Sequence, residues 1–150
     1  MKNLGKSKLL KRTLITVAAS GLLIGAGSQA AFAGYAQSAY GYFTSGSQQY
    51  MNYAYITTTD KNSFAVTSTQ FSGGGTQVGW AGSRGRLFTS SGAMRCESAN
   101  QYNGEYNYPA FGYSCNPQTS GIWYSYGVSL GWNGSGYQSF YTFQSPNQNS

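Results

Sequence analysis

The chain has 150 residues, with 9 Lys or Arg, 3 Asp or Glu and no histidine, a formal net charge of +6 and 17% aromatic residues. The missing histidine excludes Ser-His-Asp and Cys-His nucleophilic sites in their usual form, and the common His-containing zinc sites. Two cysteines cannot build a four-cysteine metal site, and no P-loop, dinucleotide fingerprint or EF-hand spacing is present.

The N-terminus carries Lys2, Lys6, Lys8, Lys11 and Arg12, then an uncharged and mostly apolar run from Leu14 to Ala26, then Ala31-Phe32-Ala33. That order predicts a secretory signal peptide over residues 1–33, cleaved after Ala33. The apolar run is shorter than the roughly 20 residues a bilayer span needs, so no stable membrane span is expected after cleavage. The expected product is one secreted, extracellular β domain, residues 34–150. The lysine-rich signal suits a bacterial source. Without the signal, Lys61, Arg84, Arg86 and Arg95 stand against Asp60, Glu97 and Glu105, four against three, so the net charge falls to +1. The basic character therefore belongs to the export segment, and no nucleic-acid partner is expected.

In chain order, Tyr35 to Phe43 reads as a first strand or a loosely attached arm. Tyr50 to Thr58 and Ser63 to Phe71 read as strands joined by a turn at Asp60-Lys61-Asn62. Gly73-Gly74-Gly75 breaks the pattern. Thr76 to Phe88 reads as a long or bent strand, with Gly79, Gly82 and Gly85 suited to bulges or close packing. Ala93 to Ser98 carries Cys96. From Ile122 to Trp132 the sequence alternates strictly. Ile122, Tyr124, Tyr126, Val128, Leu130 and Trp132 fall on one face, and Ser125, Gly127, Ser129 and Gly131 on the other, with Trp123 as the exception. That pattern predicts a strand whose apolar face is buried and whose Ser/Gly face meets water. Asn133-Gly134-Ser135-Gly136 predicts a hairpin loop, with Tyr137 to Phe143 as the returning strand. Asn133-Gly134-Ser135 also fits an N-glycosylation site, and a tight turn explains it equally well. The polar tail from Ser145 to Ser150 is expected to fray. The fold expected from these elements is all-β, a small antiparallel sandwich or barrel of about six to eight strands with one disulfide.

The apolar inventory is unusual. The branched aliphatics of residues 34–150 are Ile56, Val66, Val78, Leu87, Ile122, Val128 and Leu130 alone. The chain contains 14 Tyr, 8 Phe and 3 Trp. Each aromatic buries on the order of 150–250 Å², so a core built on rings is feasible. Cys96 and Cys115 form an even pair in an exported chain and are expected to be bonded.

Three features are candidates for function. Between the cysteines, the stretch from Asn100 to Tyr113 alternates tyrosine with amides, the chemistry of recognition loops. Tyr102, Tyr106 and Tyr108 share a parity and would share a face if the segment were a strand; folding back over the core is the alternative. Arg84 and Arg86 would also share a face and could grip a phosphate or carboxylate. The opposing reading is an exposed pair that aids solubility. Asp60, Glu97 and Glu105 read as surface charge rather than a catalytic pair. No metal, cofactor or enzymatic activity is expected.

In general character the chain resembles exported bacteriocins of Gram-positive bacteria: secreted, small, rich in tyrosine and glycine, and without enzyme motifs. The resemblance implies an antagonistic protein and assigns no residues. Three functions follow as expectations. The first is a secreted binding protein that recognises a glycan or cell-envelope component. The second is a bacteriocin-like antagonist. The third is an extracellular matrix or surface protein that self-associates through its β-edges.

Overall fold

The computed structural model describes residues 34–150; the signal-peptide expectation lies outside the described residues. Those residues contain thirteen strands and no helix: β1 (Gly34–Gln37), β2 (Gly41–Ser45), β3 (Gln48–Thr59), β4 (Asn62–Phe71), β5 (Ala81–Arg84), β6 (Arg86–Thr89), β7 (Met94–Glu97), β8 (Gln101–Tyr102), β9 (Ala110–Tyr113), β10 (Ile122–Ser125), β11 (Val128–Trp132), β12 (Tyr137–Tyr141) and β13 (Gln148–Asn149). They form three antiparallel sheets. The first runs β1-β3-β4-β9, with β2 also on β3; the second runs β12-β11-β5-β8; the third runs β13-β10-β6-β7. The all-β antiparallel fold is as expected, and a small sandwich describes it. The strand count exceeds the expected six to eight because long segments are interrupted. The stretch from Ala81 to Thr89 breaks at Gly85 into β5 and β6, and the predicted strand from Ile122 to Trp132 breaks at Tyr126 and Gly127 into β10 and β11.

The longest hairpin is β3–β4, paired in continuous register from Tyr50↔Phe71 to Thr59↔Asn62. Asp60 closes it with a φ of 50°, a left-handed conformation that Asp tolerates better than most residues. The segment around Tyr35 is not a loose arm. β1 pairs with Tyr55–Thr58 and β2 with Gln48–Asn52, so the two short strands lie end to end along β3. The tail is not frayed either. Gln148 and Asn149 pair with Trp123 and Ile122, and Trp123 Nε1 donates to Ser150 Oγ at 3.1 Å.

The predicted hairpin is present as β11–β12, paired from Val128↔Tyr141 to Trp132↔Tyr137. In its loop, Asn133 Oδ1 accepts from the backbone of Ser135 and Gly136, each at 2.9 Å. The face assignment holds only in part: Val128 and Leu130 are buried as expected, but the Ser/Gly face expected to meet water is buried too. Ser129 is completely buried and accepts from Asn52 Nδ2, on the inner face of β3, at 3.0 Å. Ser125 Oγ reaches the Val66 carbonyl at 3.3 Å, and a Cβ on Gly127 would collide with Thr67. The Ser/Gly face is thus the interior of the sandwich. Trp123, the exception to the pattern, shares that inner face and packs with Ala36, Ile56, Ala65 and Leu87. Tyr124, Tyr126, Val128, Leu130 and Trp132 point the other way.

The interior is therefore built largely from small residues. Ala54, Ala65, Ala81, Ala110, Thr67, Thr69, Ser83 and Ser129 are all buried. Larger side chains fill its ends. Trp123 lies in one cluster, and Tyr50, Phe71 and Ala81 in another, with Phe43 and Trp80 packed against it. Tyr50 is fully buried, and its hydroxyl lies within hydrogen-bond distance of the Trp80 and Trp132 carbonyls. Burial pushes its pKa up to about 12.

Cys96 and Cys115 are bonded, with Cα atoms 6.1 Å apart. Cys96 lies on β7 of the third sheet, and Cys115 follows β9 of the first. The bond therefore ties opposing layers together as well as closing a loop. Replacing both with serine should lower stability by roughly 3 kcal/mol, read as a shift in the urea midpoint. An unchanged midpoint would mean that the two layers hold without the tie.

Candidate functional site

An interior of small residues has no room for most of the aromatics, and they lie on the two outer faces. On β3 the even positions, Tyr50, Asn52, Ala54 and Ile56, are buried. The odd positions Met51, Tyr53, Tyr55 and Thr57 therefore point outward, because side chains alternate across a strand. Register extends this face across the sheet: Gln37, Tyr55, Val66 and Tyr113 form one row, and Tyr53, Ser68 and Phe111 the next. Val66 and Ser68 point outward yet are buried, because the flanking rings cover them.

These rings form a band of two groups on either side of Val66 and Ser68. Tyr40 meets Tyr53 edge-on at 5.2 Å, Tyr53 stacks with Tyr55 at 6.1 Å, and Tyr55 contacts Tyr35 at 5.3 Å. At the far edge of the sheet, Tyr113 lies 6.3 Å from Phe111, and Phe111 lies 6.1 Å from Tyr108. None of the outward strand residues on this face is charged. Burial, reinforced by Tyr113, Tyr53 and Tyr35, pushes the Tyr55 pKa up to about 12. Burial and its neighbours Tyr53 and Tyr40 raise that of Tyr35 as well. These hydroxyls stay neutral donors and acceptors at ordinary pH. One is already engaged: Tyr35 Oη donates to Gln37 Oε1 at 2.5 Å.

The three tyrosines singled out from the sequence do not share a face. Residues 103–109 are not a strand, and Asn107 turns the chain with a φ of 58°. Tyr102 lies on β8, against Tyr137 of β12 at 4.7 Å, on the outer face of the second sheet. Tyr108 joins the band on the first sheet through Phe111, so the segment crosses from one layer to the other. Tyr106 lies between them, beside Gly75. The three are 43%, 64% and 54% exposed, so they do not fold back into the core.

Arg84 and Arg86 do come together on one face, where the second and third sheets meet. They are not a freely exposed pair. Glu97 Oε2 lies 3.5 Å from Arg84 Nη1 and 3.8 Å from Arg86 Nε, and both arginines are largely buried. The Arg86 guanidinium lies over Phe88 at 4.9 Å, with Tyr126 and Tyr141 at 5.7 and 5.8 Å.

The residues that sequence reasoning missed are Tyr35, Tyr40, Tyr53, Tyr55, Phe111 and Tyr113. A signal was present: in the stretch from Tyr50 to Thr58, both parities carry tyrosine, so one parity had to face outward. Among the described residues, no three His, Cys, Asp or Glu side chains gather as a metal ion would require, and no helix is long and apolar enough to cross a membrane. Compared with known proteins, the chain matches no family, and no curated protein or solved structure is significantly similar to it.

Proposed function

We propose that this chain is a secreted, non-enzymatic binding protein that recognises a glycan of a cell envelope through the aromatic band on the first sheet. The observation that carries this reading is the uncharged succession of rings from Tyr40 through Tyr53 and Tyr55 to Tyr35, at 5.2 to 6.1 Å spacing. The C–H faces of sugar rings pack on such rings. Neutral tyrosine hydroxyls, the Gln37 amide and that of Gln70, which pairs with outward-facing Met51, supply hydrogen bonds to sugar hydroxyls. Rings held on a paired sheet also lose little freedom on binding, which lowers its entropic cost. Tyr108 extends the band, while Tyr102 adds ring surface on the opposite face.

The test is co-sedimentation of the exported protein with insoluble β-glucan, chitin and peptidoglycan. Wild-type protein should bind at least one of them. Tyr53→Ala with Tyr55→Ala should weaken that binding by about tenfold or more, on the scale of ring anchors at roughly 1 kcal/mol each, while circular dichroism stays unchanged. Tyr106→Ala, off the band, should have little effect. Binding to none of these polymers, with self-association that the same two substitutions abolish, would instead favour the matrix protein.

A further inference from the structure

We propose that Arg84 and Arg86 form a second binding site, for the carboxylate of an acidic sugar, on the face opposite the aromatic band. The proposal rests on the reading of this protein as a glycan binder and names the ligand class of a separate site.

Charge is sparse between residues 34 and 150, yet three of its seven charged side chains converge here. Two guanidinium groups share one carboxylate, which leaves a net positive charge. Both contacts fall on the same oxygen, at 3.5 and 3.8 Å, longer than the roughly 2.7–2.9 Å of a charge-assisted hydrogen bond. The Nε atoms of both arginines are buried without a hydrogen-bond partner. Neither arginine makes the pair of short parallel bonds to Glu97 that a bidentate ion pair would show. The buried Nε atoms are out of a ligand's reach, but the partly exposed guanidinium groups keep further N–H donors that Glu97 does not satisfy. An incoming carboxylate can take the exposed N–H groups of either guanidinium in the two-point geometry that arginine favours.

The surrounding rings say what the carboxylate is attached to. Tyr126 and Tyr141 stack nearly parallel at 5.5 Å, and Phe88 and Tyr124 do so at 5.2 Å. Together with the contacts to Phe88, Tyr126 and Tyr141, this holds Arg86 in place before a ligand arrives. Tyr141 remains mostly exposed and offers a ring face next to the guanidinium. An aromatic face beside a cationic pair suits a pyranose that carries a carboxylate.

The experiment compares three soluble polymers by affinity electrophoresis of the full exported protein: polygalacturonate, its methyl ester, and dextran sulfate. Polygalacturonate should bind about tenfold more tightly than its ester, equivalent to one step of roughly 1.4 kcal/mol. Arg84→Gln with Arg86→Gln should bring polygalacturonate down to the level of the ester and leave ester binding unchanged. Glu97→Gln, which removes the competing carboxylate at an exposed position, should tighten polygalacturonate binding severalfold. It also keeps the test decisive if the double variant folds poorly. Equal binding of acid and ester by wild-type protein would overturn this site and leave the glycan reading intact. Dextran sulfate bound as tightly as polygalacturonate would overturn carboxylate recognition in favour of general anion exchange. Binding of no polymer would overturn the carboxylate site, while the glycan reading stands or falls separately on co-sedimentation with β-glucan, chitin and peptidoglycan.

Discussion

Ser129→Asp should destabilise the protein at least as much as Leu130→Asp, on the order of 4 kcal/mol or more. The sequence alone argues the opposite, since it places Ser129 on a face open to water. In the structure Ser129 is 0% exposed and Leu130 is 4% exposed, but they lie on different sides of β11. Ser129 sits between two sheets, where Asn52 Nδ2 donates to it. A carboxylate there meets Asn52 Oδ1, which is buried without a partner, and finds no cation. Leu130 points away from the interior, beside the Tyr102 ring that lies over Gly82. That ring is 43% exposed and can swing aside to let water reach a new charge. Ser139 pairs with Leu130 across the hairpin and is exposed, so Ser139→Asp should change stability by less than about 0.5 kcal/mol. Urea midpoints for the three variants check the order. A Ser129→Asp protein as stable as Ser139→Asp would return the Ser/Gly face to solvent.

The burial of both faces of β11 shows what the sequence could and could not determine. Strict alternation from Ile122 to Trp132 identified β10, β11 and their common parity. It could not say which parity met another sheet. The usual rule sends the larger apolar residues inward, and it presumes an interior of ordinary thickness. Here Ser125, Gly127, Ser129 and Gly131 face Asn52, Thr67 and Ser45. Two faces of small residues from distant parts of the chain fit each other, and that match is invisible within either segment. Trp123 carried the clue, because its parity is that of Ser125 and its ring occupies the inner cluster.

The candidate site was legible to a similar extent. The cysteine pairing followed from an even count and the expectation of export, and the shared face of Arg84 and Arg86 followed from their spacing. Their partner Glu97 did not, because the Arg86↔Glu97 pairing between β6 and β7 depends on where the chain turns after Thr89. The aromatic band was missed for a related reason. Its rings come from β1, β3, β9 and the segments beside them, and only register brings Tyr55 into one row with Tyr113. The loop from Asn100 to Tyr113 concentrates its tyrosines within a few residues, so it stood out in sequence. The band concentrates them in space.

The close approach of the layers leads to the other large effect. Gly112→Ala should lower stability by roughly 3 kcal/mol or more, at the upper end of what overpacking usually costs. Neither Gly112 nor Gly85 has a positive φ, so alanine's backbone preferences are not the obstacle. The obstacle is space. A Cβ on Gly112 would lie 2.6 Å from Gly85 N and 2.7 Å from Arg84 N and Cα. A Cβ on Gly85 would lie 2.4 Å from the Gly112 carbonyl oxygen and 2.7 Å from Ser114 N. Every one of these neighbours is backbone, so no side-chain rotation relieves the clash. β9 and the β5–β6 junction meet backbone to backbone, far closer than the roughly 10 Å between ordinary packed sheets. Relief requires the layers to part, which would disturb the buried contact of Ser83 with Thr69 at 2.8 Å and the Cys96–Cys115 tie. Gly104 and Gly136 have no atoms within 4 Å of a new Cβ, so alanine there should be neutral or stabilise by up to about 1 kcal/mol through the unfolded chain. Thermal melts should separate the two classes by roughly 10 °C or more. A Gly112→Ala protein that melts with the Gly104→Ala control would mean that β9 and the β5–β6 junction stand far enough apart to admit a methyl group.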